Sequence, residues 1–346
     1  MPRAKAARGT RDLQGSLFSS AYVSRLSAAA QLFVAWLASQ SLPAAQLTAA
    51  VVDGLLVQYL QSLFDRNLTL SLATHTVLAA QHANPRWKHK LPQAWNSIKS
   101  WKLQQTPQLR VPIPPQVLDC IIVSAMLKGF VHDRQKGLEW ISFAIILMVG
   151  FDAMLRPGEL KFSRTDVTLP SEAFMAFTST AVILIKNPKN RAHFGRMQFA
   201  NVKSARSLAW LEWLCVGLPK SASLCPITLP KMRSMWKQLM LDLRISDLNF
   251  TLSSLRTGGA TALFMTGIPI DQLRFAGRWR SVHTLEHYVQ ESVATTIMSK
   301  LSSSQCKRLT AYLNLAPLVQ APPPQPWWSF FSRTAQFSKL KSLKLL

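Results

Sequence analysis

The chain is expected to fold as a mainly α protein of the α+β class, a helical bundle followed by a larger, mostly helical domain with a small three-stranded antiparallel sheet. Three observations predict this. Apolar residues recur at three- and four-residue spacing along most of the 346 residues, the period of one helix face. In the middle of the chain the pattern changes to alternating or β-rich stretches separated by turn residues. Between the two helical regions lies a proline-rich passage, and 346 residues suffice for two cores.

Residues 1–20 show no periodicity and read as a flexible basic arm. From 21 to 105, "YVSRLSAAAQLFVAWLASQSL", "VVDGLLVQYLQSLF", "TLSLATHTVLAAQHAN" and "QAWNSIKSWKLQ" each read as an amphipathic helix with a short connection, a small bundle. Its last part interleaves Trp87, Trp95 and Trp101 with Arg86, Lys88, Lys90, Lys99 and Lys102. Such a surface suits a phosphate backbone, although the tryptophans could equally be core and the basic residues merely solvated. "QTPQLRVPIPPQVL" contains Pro107, Pro112, Pro114 and Pro115, which disfavour helix and hold the chain extended, so 106–115 is assigned as a linker.

The second domain, 116–315, opens with helices at about 116–129 and 137–155. Strands are expected within 160–169, 173–186 and 193–202, and helices at 203–217, 228–243, 253–266, 270–276, 282–289 and 293–312. The tail, 316–346, is Pro-rich, then aromatic and basic, and is expected to be disordered with a terminal helix at most.

Forty Lys and Arg against sixteen Asp and Glu give a formal charge of +24, spread along the whole length. That excess points to a polyanionic partner, first of all nucleic acid. Cys120, Cys215, Cys225 and Cys306 are far apart and form no C-x-x-C pair, which predicts free thiols in a reducing compartment. The opening "MPRAKAARGTRD" is not followed at once by an apolar core, and the longest apolar run, "WISFAIILMVGF", is too short to span a bilayer. A soluble, intracellular protein without a membrane partner is expected. There is no G-x-x-x-x-G-K phosphate loop, no H-E-x-x-H, and no tight carboxylate cluster of the kind that holds magnesium, so no metal and no cofactor is expected.

Three separated stretches carry the chemistry. "AMLRPGEL" places Arg156 at a helix end, three residues before Glu159, and Asp166 follows in "LKFSRTDV". "SSLRTGGATAL" places Arg256 at a helix start. "FAGRWRSVHTLEHYVQE" places Trp279 nine residues before Tyr288, one of four tyrosines. Between the first two lies a turn, "IKNPKNR", with Lys186 and Lys189.

In these residues the chain resembles the tyrosine recombinases, the phage-integrase-type site-specific recombinases. "LRPGELKFSRTDV" is similar to their arginine-x-x-E-L motif followed by a strand bearing an Asp. "SSLRTGGAT" is similar to their second arginine motif at Leu255, Arg256, Ala260 and Thr261. Trp279 and Tyr288 match their third motif, with Gly277 one residue further upstream than is usual. The resemblance covers about 115–300, and the bundle before it looks like the family's SAM-like core-binding domain. The "GRWRS" form looks most like the recombinases of eukaryotic mobile elements.

The resemblance implies DNA strand cleavage and rejoining, as in site-specific recombination or integration, without metal or ATP. Double-stranded DNA would be the partner, held by a homo-tetramer on two sites, with the protein beside genomic DNA, in the nucleus if eukaryotic. Two guanidiniums, Arg156 and Arg256, would offer paired donors to a phosphodiester and take up the charge of the transition state. Beside them the Tyr288 phenolate would be stabilised and attack phosphorus, forming a covalent 3′-phosphotyrosyl link. Lys186, or Lys189 nearer the turn apex, would protonate the leaving 5′ oxygen. Trp279 would donate its indole N–H to a phosphate oxygen. Glu159 and Asp166 would support the site, while Arg278 and Arg280 are expected to contact the DNA backbone or to be solvated. Ser253 stands where the family has a His; it can hydrogen-bond but cannot act as a base near neutral pH. His283 and His287 could substitute, or could be surface residues of the helix. Two alternatives are a degenerate recombinase that binds DNA without cutting it and a type IB topoisomerase-like relaxase.

Overall fold

The computed structural model describes residues 18, 20–40, 48–105, 111–172, 179–186, 188–189, 195 and 197–326. It divides into two compact units, Met1–Gln108 and Leu109–Leu346. The architecture is mainly helical, with one three-stranded antiparallel sheet among the described residues.

The first unit contains α1 (Ser20–Ser39), α2 (Ala49–Asp65), α3 (Leu70–Ala83) and α4 (Pro92–Gln104). Thr48 and Thr69 cap α2 and α3, their side chains accepting from Val51 N and Leu72 N, which satisfies donors that a helix start leaves unpaired. α4 starts differently. Pro92 has no N–H to satisfy, and the next two amides donate to the buried carboxylate of Asp53 on α2, Gln93 N at 3.0 Å and Ala94 N at 2.8 Å. The core joins Leu56, Tyr59 and Leu60 of α2, Val77 of α3, and Ala94, Ile98 and Trp101 of α4. α1 lies along α3, with Tyr22 against His75. By length and composition α1 is also the described helix that could cross a bilayer, a property the expectation from the 140–151 run did not include.

The second unit is built on α5 (Pro115–Val131) and α6 (Arg134–Asp152). Both are apolar on nearly all faces and buried along most of their length, as expected of central helices. On them pack α7 (Ala205–Cys215), α8 (Leu229–Asp242) and α13 (Ser303–Leu313), together with the sheet β1 (Val167–Thr168), β2 (Ala181–Ile185) and β3 (Gln198–Val202). Val167 pairs with Ile183, and Ile183 with Ala200. The alternation buries Ala181, Ile183, Ile185, Ala200 and Val202 on one face.

Three expectations are corrected. The strand expected from 160 begins only at Val167. Asp166 accepts from Ser163 N and Oγ at 2.9 and 2.8 Å, closing a 3₁₀ turn, Arg164–Asp166, in place of extended chain. The helix expected over 293–312 is two, α12 (Glu291–Ser299) and α13, because Ser302 and Gln305 form a capping box that starts a new helix. The tail is not disordered from 316. Ala316–Val319 forms a 3₁₀ turn with Val319 buried. Trp210 Nε1 donates to Val319 O at 3.0 Å and Trp213 Nε1 to Gln325 O at 2.8 Å. The rest of the tail, and the arm before residue 18, lie outside the described residues. All four cysteines are unpaired, three of them buried.

Candidate active site

α6 ends at Asp152, and Met154, in the left-handed region at φ 49°, turns the chain so that Arg156 enters a 3₁₀ turn, Pro157–Glu159. The Glu159 carboxylate reaches back to Arg156 twice, accepting from its N–H at 3.0 Å and from Nη1 at 2.7 Å.

α9 (Ser254–Met265) delivers Arg256. Its glycines explain how closely it approaches. A Cβ on Gly258 would stand 2.4 Å from Ile113 O, and one on Gly259 2.1 Å from Phe151 O, so the helix meets two main chains with nothing between. Arg256 is 1% exposed. Nη1 donates to Met154 O and Nη2 to Gly277 O, both at 2.5 Å.

α10 (Ile270–Ala276) ends at Gly277, and Arg278, at φ 59°, reverses the chain. Trp279 then folds back over Gly277, where a Cβ would lie 1.5 Å from the indole ring. The Arg256 guanidinium carbon is 4.1 Å from the Trp279 ring centre and 5.4 Å from that of Tyr288, and the two rings are 5.1 Å apart. Tyr288 is half-buried. It follows α11 (Val282–Glu286), shorter than the 282–289 expected, and is pinned through its backbone. Thr261 Oγ1 donates to Tyr288 O at 3.2 Å and accepts from Gln290 N at 3.1 Å. The threonine of the second motif thus holds the loop that carries the tyrosine.

Arg278 differs from expectation. It is buried, and its Nη2 donates to Glu159 Oε2 at 2.8 Å. Sequence reasoning placed it on the surface; no local signal marks its partner, 119 residues away. Two arginines, Arg156 and Arg278, therefore share one carboxylate. Burial would raise the Glu159 carboxyl, but Arg278 and Arg156 outweigh it and hold the group below its ordinary value. Burial lowers the Arg256 guanidinium to about 9, and Arg156 and Arg278 add to the effect.

Lys186, at the end of β2, makes an ion pair with Asp166 at 2.5 Å. Burial would raise the Asp166 carboxyl, but Lys186 and Ser163 hold it down. A polar cleft runs from Gly158 and Glu159 past Lys161 to Asp166 and Lys186. Its Glu159 wall is the carboxylate that bonds to Arg156 and Arg278. Lys189 is exposed at the turn after β2, most of which lies outside the described residues.

Other expected residues stand apart. Ser253 is half-buried just before α9, and its side chain makes no capping bond. His283 and His287 are exposed, their rings 5.1 Å apart, with His283 bonded to Glu286. Arg280 is exposed. In the first unit Arg86, Lys88, Lys90, Lys99 and Lys102 are exposed, while Trp101 is buried and Trp87 and Trp95 lean on the core, so the tryptophans pack inward. Trp279 is 2% exposed, and its Nε1, like Arg256 Nε, is buried without a hydrogen-bond partner among the described residues. The indole ring lies between Gly277 and Arg256.

No protein-family model and no curated protein matches the chain. Among solved structures it is similar to the crystal structure of XerA recombinase, at 11% identity and a TM-score of 0.35, over 86% of this chain and 94% of that chain. The functional reading therefore rests on this chain's own residues and their geometry.

Proposed function

We propose that the chain cleaves and rejoins DNA strands through a covalent link between Tyr288 and a 3′-phosphate. The observation that carries this is the convergence of Arg256, Trp279 and Tyr288, with Arg256 over both rings at 4.1 and 5.4 Å, beside Arg156 and Glu159. These residues come from three separate stretches of the chain, at 156–159, at 256 and at 279–288.

In this reading Arg156, the most open of the clustered arginines at 21% side-chain exposure, meets a non-bridging phosphate oxygen from the cleft. Arg256 supplies field from behind and stabilises the Tyr288 phenolate as it attacks. Lys186, released from Asp166, or Lys189 protonates the leaving 5′ oxygen. Phosphotyrosine conserves the energy of the broken bond, so rejoining needs no ATP. The exposed basic residues of the first unit and Arg280 contact the DNA backbone. Assembly is as a tetramer on two sites, beside genomic DNA, in a mobile element.

The test is incubation with nicked duplex libraries that trap a covalent intermediate. A denaturation-resistant protein–DNA adduct is expected, lost in Tyr288→Phe. An adduct that persists in that variant, or none with the parent, overturns the assignment.

A second reading, DNA binding without cleavage, is favoured by the burial of Arg256, its engagement with two main-chain carbonyls, and Ser253 in the place of a base. It predicts salt-sensitive binding unchanged in Tyr288→Phe and no adduct with either protein.

A further inference from the structure

Glu159 orients Arg156 by two hydrogen bonds, at 3.0 and 2.7 Å, and the same contact has an adverse side. A carboxylate against a lone guanidinium cancels the charge that an incoming phosphate would feel. Screening is weak there, because Glu159 is 5% exposed at its side chain. The molecule answers with a second cation on the same carboxylate. Arg278 Nη2 meets Glu159 Oε2 at 2.8 Å, and the Arg278 side chain is 6% exposed. Its Nη1 and Nη2 also point at Ala153 O and Met154 O, both at 3.5 Å. Met154 O is the carbonyl that Arg256 holds at 2.5 Å. Arg278 thus touches both supports of the site, the carboxylate that fixes Arg156 and the carbonyl that fixes Arg256. Its backbone, at φ 59°, adopts a conformation costly for a residue with a side chain.

We infer that Arg278 is a positioning residue. It offsets the charge of Glu159, so that the carboxylate can fix Arg156 while leaving its positive charge available to an oxyanion entering the cleft past Lys161 and Lys186. Arg278 itself does not reach that anion. The inference deepens the proposed DNA-cleavage reading and rests on it for the identity of the anion as a phosphodiester.

The experiment has two readouts on the full chain. One is the affinity for orthovanadate, a tetrahedral oxyanion, from the rise in melting temperature with its concentration. The other is adduct formation on the nicked duplex library. Arg278→Gln is expected to weaken vanadate binding about tenfold, the equivalent of ~1.4 kcal/mol, and to slow adduct formation at least as much. Arg278→Lys, which keeps the charge, is expected to return vanadate affinity to within about threefold of the parent. A merely structural residue would lower the melting temperature without anion in both variants and leave vanadate affinity unchanged. Should Arg278→Gln fold poorly, the double variant Arg278→Gln, Glu159→Gln removes the unpaired carboxylate; with no charge left to offset, its vanadate affinity should equal that of Glu159→Gln alone, and a roughly tenfold difference between those two would overturn the inference. Vanadate affinity unchanged in Arg278→Gln, or equal losses in the Gln and Lys variants, overturns the inference. A parent that binds vanadate in an Arg278-dependent way but forms no adduct leaves the positioning role standing and removes the cleavage reading instead.

Discussion

The guanidinium of Arg256 lies 4.1 Å over the ring of Trp279, and both side chains are buried. The pair forms the floor on which Tyr288 rests, 5.1 Å from the indole. A cation over an indole face in a desolvated setting contributes about 2 kcal/mol, and the ring also fills the space over Gly277. Trp279→Ala should therefore destabilise the second unit by about 3–5 kcal/mol. Urea denaturation followed by circular dichroism measures it, and a cost under about 1 kcal/mol would mean the ring supports nothing.

Thr261 serves the tyrosine from the other side, as donor to Tyr288 O and acceptor from Gln290 N. Thr261→Val keeps the shape and removes both bonds, at about 1–3 kcal/mol for the amide left unpaired. Adduct formation should fall by about tenfold or more with DNA affinity little changed, and Thr261→Ser should restore it. Equal rates in Val and Ser variants would exclude the clamp.

Glu159 is held below its ordinary carboxyl value by Arg278 and Arg156. A depressed acid contributes stability that is fully present above its unfolded value, about 4.3, and that disappears as pH falls through the lower folded value. Protonated Glu159 resembles glutamine in shape and charge. The destabilisation caused by Glu159→Gln should therefore be largest near neutrality and shrink toward zero as pH falls from about 4.3 through the lower folded value. Paired urea titrations across that range give the curve, and a difference independent of pH would show that the carboxylate charge does not matter to the fold.

In the first unit Asp53 supplies the cap that Leu91 and Pro92 cannot, binding Gln93 N and Ala94 N. Asp53→Ala should lower that unit's stability by about 1–3 kcal/mol. Hydrogen exchange at those two amides should accelerate before it does in the middle of α2, and unchanged protection would be the contrary result.

Much of this was legible in the chain because the motifs are local. Arg156 with Glu159, Arg256 with Thr261, and Trp279 with Tyr288 each lie within ten residues of one another, across a 3₁₀ turn, along one helix, and on either side of a short helix. The burial of Arg278 was not legible. It depends on a left-handed backbone at one residue and a carboxylate 119 positions away, neither of which leaves a periodic trace. The apolar pattern over 293–312 continues across the break at Ser302, so periodicity outvoted the S-x-x-Q cap that stood there. The docking of 316–326 is carried by tryptophan N–H bonds to main-chain carbonyls, and a carbonyl is the one feature every sequence offers at every position.

The contact of Gly258 and Gly259 with the main chains of Ile113 and Phe151 also bears on where this protein can change length. Added residues in a solvated loop cost little, because loop closure entropy grows slowly with length. Between Val111 and Pro114 there is no such tolerance. That short run is seated backbone to backbone on the helix of Arg256, and one inserted residue would shift its register against Gly258. Lineages of this protein should accordingly keep a constant length from Val111 to Pro114.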